Sequence, residues 1–103
     1  MRLAQSSELH SAALVELPDV LDIKAAAPLA SEFLAVRGKA VSLDGSRVKR
    51  LGAQCLQVLI SAATTWKADG VALAVVNASG DFTCGLARLG VSLADINAPE
   101  RPQ

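Results

Sequence analysis

The spacing of apolar and polar residues changes several times along this chain, and each change predicts a new element. The short apolar run 12–17 ends at Pro18 and is typical of a strand, and a second short strand is expected at 19–21. Residues 39–44 alternate between apolar and polar, whereas 71–76 are almost continuously apolar, as in a strand buried on both faces. The pattern therefore predicts four strands.

Two longer segments carry apolar residues at helical spacing. Helix 24–36 is predicted from a stripe that we expect to face the core: Ala26, Leu29, Ala30, Phe33, Leu34 and Val36. Pro28 fits this helix only in the first turn, where backbone N–H groups have no partner within the helix. Helix 52–68 is predicted from a second stripe, after which Gly70 ends it: Cys55, Leu56, Leu59, Ala62, Ala63 and Trp66.

A third, shorter helix follows a predicted turn at 77–80. Ser79 can cap its N-terminus, and Phe82, Leu86 and Leu89 recur on one face. Residues 91–96 add one last turn. Strands that alternate with helices predict an α/β fold with mostly parallel strands, and the N-terminal strand pair makes the sheet mixed. We therefore expect a mixed four- to five-stranded sheet packed with about four helices.

A chain of 103 residues with 51% hydrophobic content forms a single folded domain, which we place at 12–96. The polar ends, 1–11 and 97–103, are expected to be flexible. The N-terminal residues lack the apolar run of a signal peptide, and no stretch approaches the roughly 20 apolar residues that span a bilayer. We therefore expect a cytoplasmic protein without membrane insertion.

Composition argues against several functions. Ten basic and ten acidic side chains cancel, and aromatic residues are scarce, so nucleic acid is not an expected partner. The two cysteines and the single histidine, His10, match no metal motif and no nucleophile–base pair, so we expect no metal, no cofactor and no enzyme activity. Cys55 and Cys84 are both expected to be small buried apolar groups in a reducing compartment.

The local distribution of charge is more informative than the total. Residues 37–50 hold five basic side chains against the single carboxylate of Asp44. Three of the five lie in the polar connection before the second helix: Arg47, Lys49 and Arg50. This cluster is either a solvated loop or a docking patch that steers an acidic protein surface. Asp44 ends a strand where α/β sheets place ligands, and we interpret it as a carboxylate that forms a turn or caps a helix.

Four segments resemble, in order and spacing, the STAS domain family of the bacterial anti-sigma-factor antagonists. They are similar to the family's opening strand pair, the Ala-Pro-Leu of its first helix, its central strand and turn, and its closing Leu-x-x-Leu-Gly: Leu14–Ile23, Ala27–Leu29, Val41–Val48 and Gly85–Val91. The resemblance implies a STAS-type fold and a non-catalytic signalling adaptor. It also implies partner-binding residues in the loop and first turns of the second helix: Arg47, Lys49, Arg50, Gly52, Ala53, Gln54 and Gln57.

The chain departs from the family at the start of the second helix, where members switched by phosphorylation carry Asp-Ser-Ser/Thr-Gly. Here the stretch reads Gly52-Ala53-Gln54-Cys55. Neither Ala53 nor Gln54 has a hydroxyl, so phosphorylation at this motif is excluded, and the surface is expected to be permanently competent to bind.

The sequence of the second helix narrows the partner. Leu51–Ala63 and Thr65–Gly70 look like small stand-alone STAS proteins encoded with chemotaxis genes in alphaproteobacteria, which implies a chemotaxis histidine kinase complex as partner. Two alternatives stay open. In the first, the partner is an anti-sigma factor. In the second, the protein is the cytoplasmic STAS subunit of a lipid-transporting ABC system. In each case we expect a monomer or a weak homodimer.

Overall fold

A computed structural model of the chain describes residues 12–99. The predicted flexible segment 1–11 and the last part of the predicted tail, 100–103, lie outside the described residues. The elements follow one another along the chain as β1 (Ala12–Glu16), β2 (Val20–Leu21), α1 (Ile23–Ala35), β3 (Ala40–Asp44), β4 (Arg50–Leu51), α2 (Ala53–Asp69), β5 (Leu73–Val76), α3 (Gly80–Arg88) and a short 3-10 helix (Leu93–Ile96). The α/β fold predicted from the sequence is confirmed.

The strands form two separate parallel sheets. The main sheet has the order β1-β3-β5, with Val15 beside Leu43 and Leu43 beside Val75. The second sheet joins β2 and β4 through only two residue pairs, Val20 with Arg50 and Leu21 with Leu51. The predicted mixed sheet of four to five strands is therefore wrong in two respects. All pairings between the described strands are parallel, and the main sheet has three strands.

Three further expectations differ from the structure. β4 lies where the sequence predicts only a polar connection, because two residues are too few to show a strand period. β5 is an edge strand of the main sheet, so its last three residues are half-buried rather than enclosed on both faces. The described residues form three α-helices and one 3-10 helix, whereas the sequence predicts about four helices.

Residues just beyond the predicted domain boundary complete the edge at β5. Leu73 and Ala98 exchange two backbone hydrogen bonds of 2.7 and 2.8 Å, and Asn97 Oδ1 accepts from the N–H of Val75 at 3.1 Å. Ala98 is buried. Asn97 and Ala98 are thus part of the packed structure, which differs from the expected flexible tail from 97 onward. The reason is that an edge strand has free N–H groups that a following segment can satisfy.

The predicted facing of α2 is confirmed, because all six residues of its stripe are buried. Trp66 is only 2% exposed, and its indole Nε1 donates to the carbonyl of Lys39 at 2.7 Å. The Phe33 ring meets the indole edge-on, with 5.8 Å between ring centroids. These contacts fasten α2 both to α1 and to the start of β3.

The facing of α1 is confirmed only in part. Leu29 and Phe33 are buried, but Leu34 is 72% exposed, so it does not belong to the core stripe. Pro28 also departs from the expectation, since it lies inside the helix beyond the first turn. It removes the bond that an N–H would donate to the carbonyl of Lys24, and both residues are exposed, so water can satisfy that carbonyl.

No helix in the described part of the chain has both the length and the apolarity to cross a bilayer.

Candidate functional site

The junction between β4 and α2 is built on a close backbone approach at Gly52. The N–H of Gly52 donates to the carbonyl of Leu21 at 2.8 Å, and a Cβ on Gly52 would lie 3.3 Å from that same oxygen. Gly52 occupies the N-cap position of α2 and has no side chain to accept from the first-turn N–H groups. Ala53 and Gln54, which follow it, are exposed. The start of α2 therefore presents uncapped amides at the surface.

The loop before β4 is held in place from two sides. Ser79 Oγ donates to the carbonyl of Val48 at 2.6 Å and accepts from the N–H of Phe82 at 3.0 Å, so it joins the loop to the first turn of α3. On the other side, the N–H groups of Lys49 and Arg50 both donate to the carbonyl of Asp19, at 2.7 and 3.1 Å. The backbone of the loop is thus fixed, while the side chains of Lys49 and Arg50 are exposed.

Four of the seven predicted site residues line two separate recesses, and Arg50, Gly52 and Ala53 line neither of them. Arg47 and Lys49 line a recess of about 340 Å³ at the start of α3, together with the carboxylates of Asp19 and Asp81. Arg50 precedes the uncapped start of α2.

Gln54 and Gln57 line a separate groove of about 450 Å³ between α1 and α2. Its apolar floor is formed by Phe33, Val58, Ala62 and Trp66, and its polar rim by Gln54, Gln57, Ser61 and Thr65. Ala30 and Leu34 complete the α1 wall, and Arg37 closes one end. Sequence reasoning missed this α1 wall. The available signal was that Leu34 sits at the margin of its stripe rather than at its centre.

A family model described as "Mlab, STAS domain" matches residues 4–93, which is most of the chain. The chain belongs to the STAS domain family. The predicted resemblance is therefore confirmed, and the three-helix α/β structure with its parallel sheet fits this fold. No curated protein and no solved structure matches the chain.

Membership of the STAS family gives the coarse function. STAS domains are generally non-catalytic and mediate protein–protein interaction in anti-sigma-factor-antagonist-like or signalling roles. Ala53 and Gln54, which the sequence predicts at the family's phosphoacceptor positions, are the first two residues of α2, and both are exposed. Neither side chain has a hydroxyl to modify.

Asp44 performs the structural role that the sequence suggests. Its Oδ1 accepts from the N–H of Ser46 at 2.9 Å and closes the turn after β3. This hydrogen bond holds the pKa of Asp44 below its ordinary value. The carboxylate therefore stays ionised as part of the turn that leads into the basic loop.

The two cysteines of the STAS domain differ in environment. Cys55 is fully buried, and its thiol donates to the carbonyl of Asp22 at 3.1 Å, so it behaves as the small core residue that was expected. Burial raises the pKa of the Cys55 thiol, with a further contribution from Asp22. The expectation that Cys84 is also buried is wrong, because it lies on the exposed face of α3.

We predict that iodoacetamide at neutral pH labels Cys84 within minutes and leaves Cys55 unlabelled in the native protein. The reason is that the thiolate is the reactive form, and Cys55 is both inaccessible and shifted toward the neutral thiol. Peptide mass spectrometry measures the labelling of each cysteine. In denaturant both should react at similar rates, and equal labelling in the native state would contradict the buried position of Cys55.

Proposed function

We propose that this STAS domain is a signalling adaptor that binds a regulatory protein through the loop before α2 and the first turns of that helix. The observation that carries the proposal is the uncapped and exposed start of α2 beside a fixed loop of basic residues. The residues proposed to contact the partner are those predicted from the sequence: Arg47, Lys49, Arg50, Gly52, Ala53, Gln54 and Gln57. Gly52 contributes by allowing close approach, because it has no side chain at the N-cap position of α2.

The chemistry of this surface favours an acidic partner. The first-turn N–H groups of a helix carry a partial positive charge and bind carboxylates, and no acidic residue occupies the first turn of α2. Arg50 and Lys49 add exposed positive charge in the preceding residues. A carboxylate of the partner can therefore take the place of the absent side-chain cap, while the cations steer its approach.

The partner that we propose is a histidine kinase complex of bacterial chemotaxis. Support comes from the resemblance of Leu51–Ala63 and Thr65–Gly70 to the small STAS proteins encoded with chemotaxis genes. Because Ala53 and Gln54 have no hydroxyl, the adaptor binds without a phosphorylation switch. We propose that it acts in the cytoplasm as a single domain, as a monomer or a weak homodimer.

Native co-purification from the source cytoplasm tests the identity of the partner. A chemotaxis histidine kinase bound in a stable complex is the expected result. Recovery of an anti-sigma factor would identify that protein as the partner instead of the kinase and would leave the proposed docking surface unchanged. Recovery of the nucleotide-binding subunit of a lipid-transporting ABC system would assign the protein to the third class of complex and refute the role in chemotaxis.

We predict that Lys49→Glu and Arg50→Glu slow association with the identified partner by about tenfold at low salt and leave dissociation nearly unchanged. Exposed charges at an interface act mainly on the association rate through long-range attraction. The difference from wild type should shrink as ionic strength rises, because the Debye length falls from about 10 Å at 0.1 M to about 3 Å at 1 M. Stopped-flow fluorescence or surface plasmon resonance measures both rates.

Lys39→Glu is the matched control for this prediction, since Lys39 is an exposed lysine outside the loop. It makes the same change in net charge and should leave the association rate close to wild type. An equal slowing by all three variants would show that net charge, and not the loop, steers the partner.

A further inference from the structure

The groove between α1 and α2 lies along two helices that run in the same direction. Near their N-termini, the thiol of Cys55 in α2 meets the carbonyl of Asp22, the N-cap of α1, at 3.1 Å. Near their C-termini, Arg37 Nε lies 3.2 Å from Oδ2 of Asp69. The groove is therefore a channel between two parallel helices, and the N-terminus of α2, which has no side-chain cap, lies at its Gln54 end.

The length and shape of the channel suit a third helix. Its α2 wall extends from Gln54 to Thr65, which is about 16 Å at a rise of about 1.5 Å per residue. A helix of about three turns has the same length. Helices that bind in such grooves insert apolar side chains at i, i+3 or i+4, and i+7.

The floor of the channel is apolar, and one large apolar side chain stands unprotected at its edge. Leu34 is 72% exposed and lines the channel above the edge-on pair of Phe33 and Trp66. The rim on the α2 side offers only amide and hydroxyl groups, such as those of Gln57 and Ser61. A partner surface that covers Leu34 must therefore be apolar at its centre and uncharged where it meets the α2 rim.

The charges along the channel predict which end of the bound partner helix carries negative charge. Arg37 is the one charged side chain among its lining residues, and it is already paired with Asp69. The opposite end is lined by Gln54 in the first turn of α2, and the exposed cation Arg50 precedes that helix. The N-terminus of α1 is already capped by the carboxylate of Asp22, which accepts from the N–H of Lys24 at 3.0 Å, whereas the N-terminus of α2 has no side-chain cap. This end therefore favours negative charge on the partner.

We infer that the α1–α2 groove is the second half of the docking site and that it receives an amphipathic helix of the partner protein. The helix has about three turns, a continuous apolar face, and acidic side chains at its C-terminal end, which lies beside the N-terminus of α2. This assignment rests on the proposed adaptor function and names the element of the partner that Gln54 and Gln57 meet. It adds Leu34 and the α1 wall to the contact surface.

A synthetic peptide of about 15 residues tests the groove directly, since shorter isolated helices are only marginally stable in water. It carries leucines along one face and two glutamates at the C-terminal end, and it is titrated into the ¹⁵N-labelled full chain. We expect amide shifts concentrated on the groove residues of α1 and α2. We also expect binding about tenfold weaker when the glutamates are replaced by lysines. Shifts elsewhere, no binding at all, or equal affinity for both peptides would overturn the inference.

Leu34→Glu and Leu14→Glu form a matched pair of variants, because both leucines are exposed, at 72% and 61%, and Leu14 lies on β1 outside the groove. Leu34→Glu should weaken binding of the acidic peptide at least tenfold, and Leu14→Glu should leave it within about twofold. Thermal melting of both variants checks that each is folded. Equal effects of the two substitutions would refute the role of Leu34.

The same variants distinguish this inference from the proposed function once the native partner is in hand. Loss of partner binding in both Leu34→Glu and Lys49→Glu supports the two halves of the docking site together. Loss in Lys49→Glu with full binding by Leu34→Glu overturns the groove and leaves the adaptor function intact. Loss in Leu34→Glu with full binding by Lys49→Glu at low salt supports the groove and overturns the basic loop as the docking surface.

Discussion

Trp66→Ala is expected to lower the free energy of unfolding by about 3–5 kcal/mol, the usual range for truncating a buried aromatic side chain. The indole is 2% exposed, and its removal leaves a cavity between α1, α2 and the start of β3. It also leaves the carbonyl of Lys39 without its 2.7 Å donor and Phe33 without its edge-on neighbour. Domains of this size have only about 5–15 kcal/mol in total. Equilibrium denaturation by urea measures the loss.

Trp66→Phe is the control that separates packing from hydrogen bonding. It retains most of the aromatic volume beside Phe33 and removes the indole N–H, so it should lose clearly less stability than the alanine variant. Phe82 is fully buried at the start of α3, so Phe82→Leu is a second variant for the same unfolding measurement. A melting temperature for Trp66→Ala within a degree or two of wild type would mean that α2 does not pack through this residue.

Gln54→Glu is expected to leave the fold intact and to weaken partner binding on the order of a hundredfold. The new carboxylate lies in the first turn of α2, where negative charge interacts favourably with the helix dipole, so stability should be unchanged or slightly raised. At the interface the carboxylate would meet an acidic partner and compete for the same first-turn N–H groups. A hundredfold loss is about 2.8 kcal/mol, somewhat less than the cost of about 3–5 kcal/mol for a fully buried unpaired charge, because Gln54 lies on an exposed first turn. Isothermal titration calorimetry with the identified partner measures the change.

Thr64→Glu is the matched control on the same helix. Thr64 is exposed and lies outside both the basic loop and the α1–α2 groove, so the same change in charge should leave affinity nearly unchanged. If Gln54→Glu is folded and binds with wild-type affinity, the partner docks on another surface. The predicted correspondence of Gln54 with the family's phosphoacceptor position implies that the expected loss would also reproduce the inhibited state of a phosphorylated member.

Much of the candidate site follows from the sequence because helix starts have local signals. Gly52 before an apolar period places the start of α2 within one residue, and Ser79 three residues before Phe82 marks the cap of α3. The basic cluster is visible as charge spacing alone. The structure adds the two backbone anchors of the loop, at Asp19 and Ser79, which come from residues distant in sequence and so have no local signature.

The groove and the second sheet could not be predicted in this way. The period of α1 places Leu34 near the buried stripe, and whether such a marginal position is covered depends on how close the neighbouring helix comes. The pairing of β2 with β4 involves two residues on each side, fewer than any periodic pattern needs. The exposure of Cys84 could not be predicted for a related reason. Its residue type favours burial, but its position on α3 faces outward.

Residue types and their spacing are enough to establish the α/β class, the facing of α2, the cap of α3 and the absence of a hydroxyl at Ala53 and Gln54. Most of these depend on residue type and on spacing within one element. The division of the strands into two sheets, the closure of the β5 edge by Ala98, and the joining of α1 and α2 into a groove become visible only in the folded structure. These features are set by contacts between segments far apart in the chain, because hydrophobic burial determines which face of an element is covered but not which neighbour covers it.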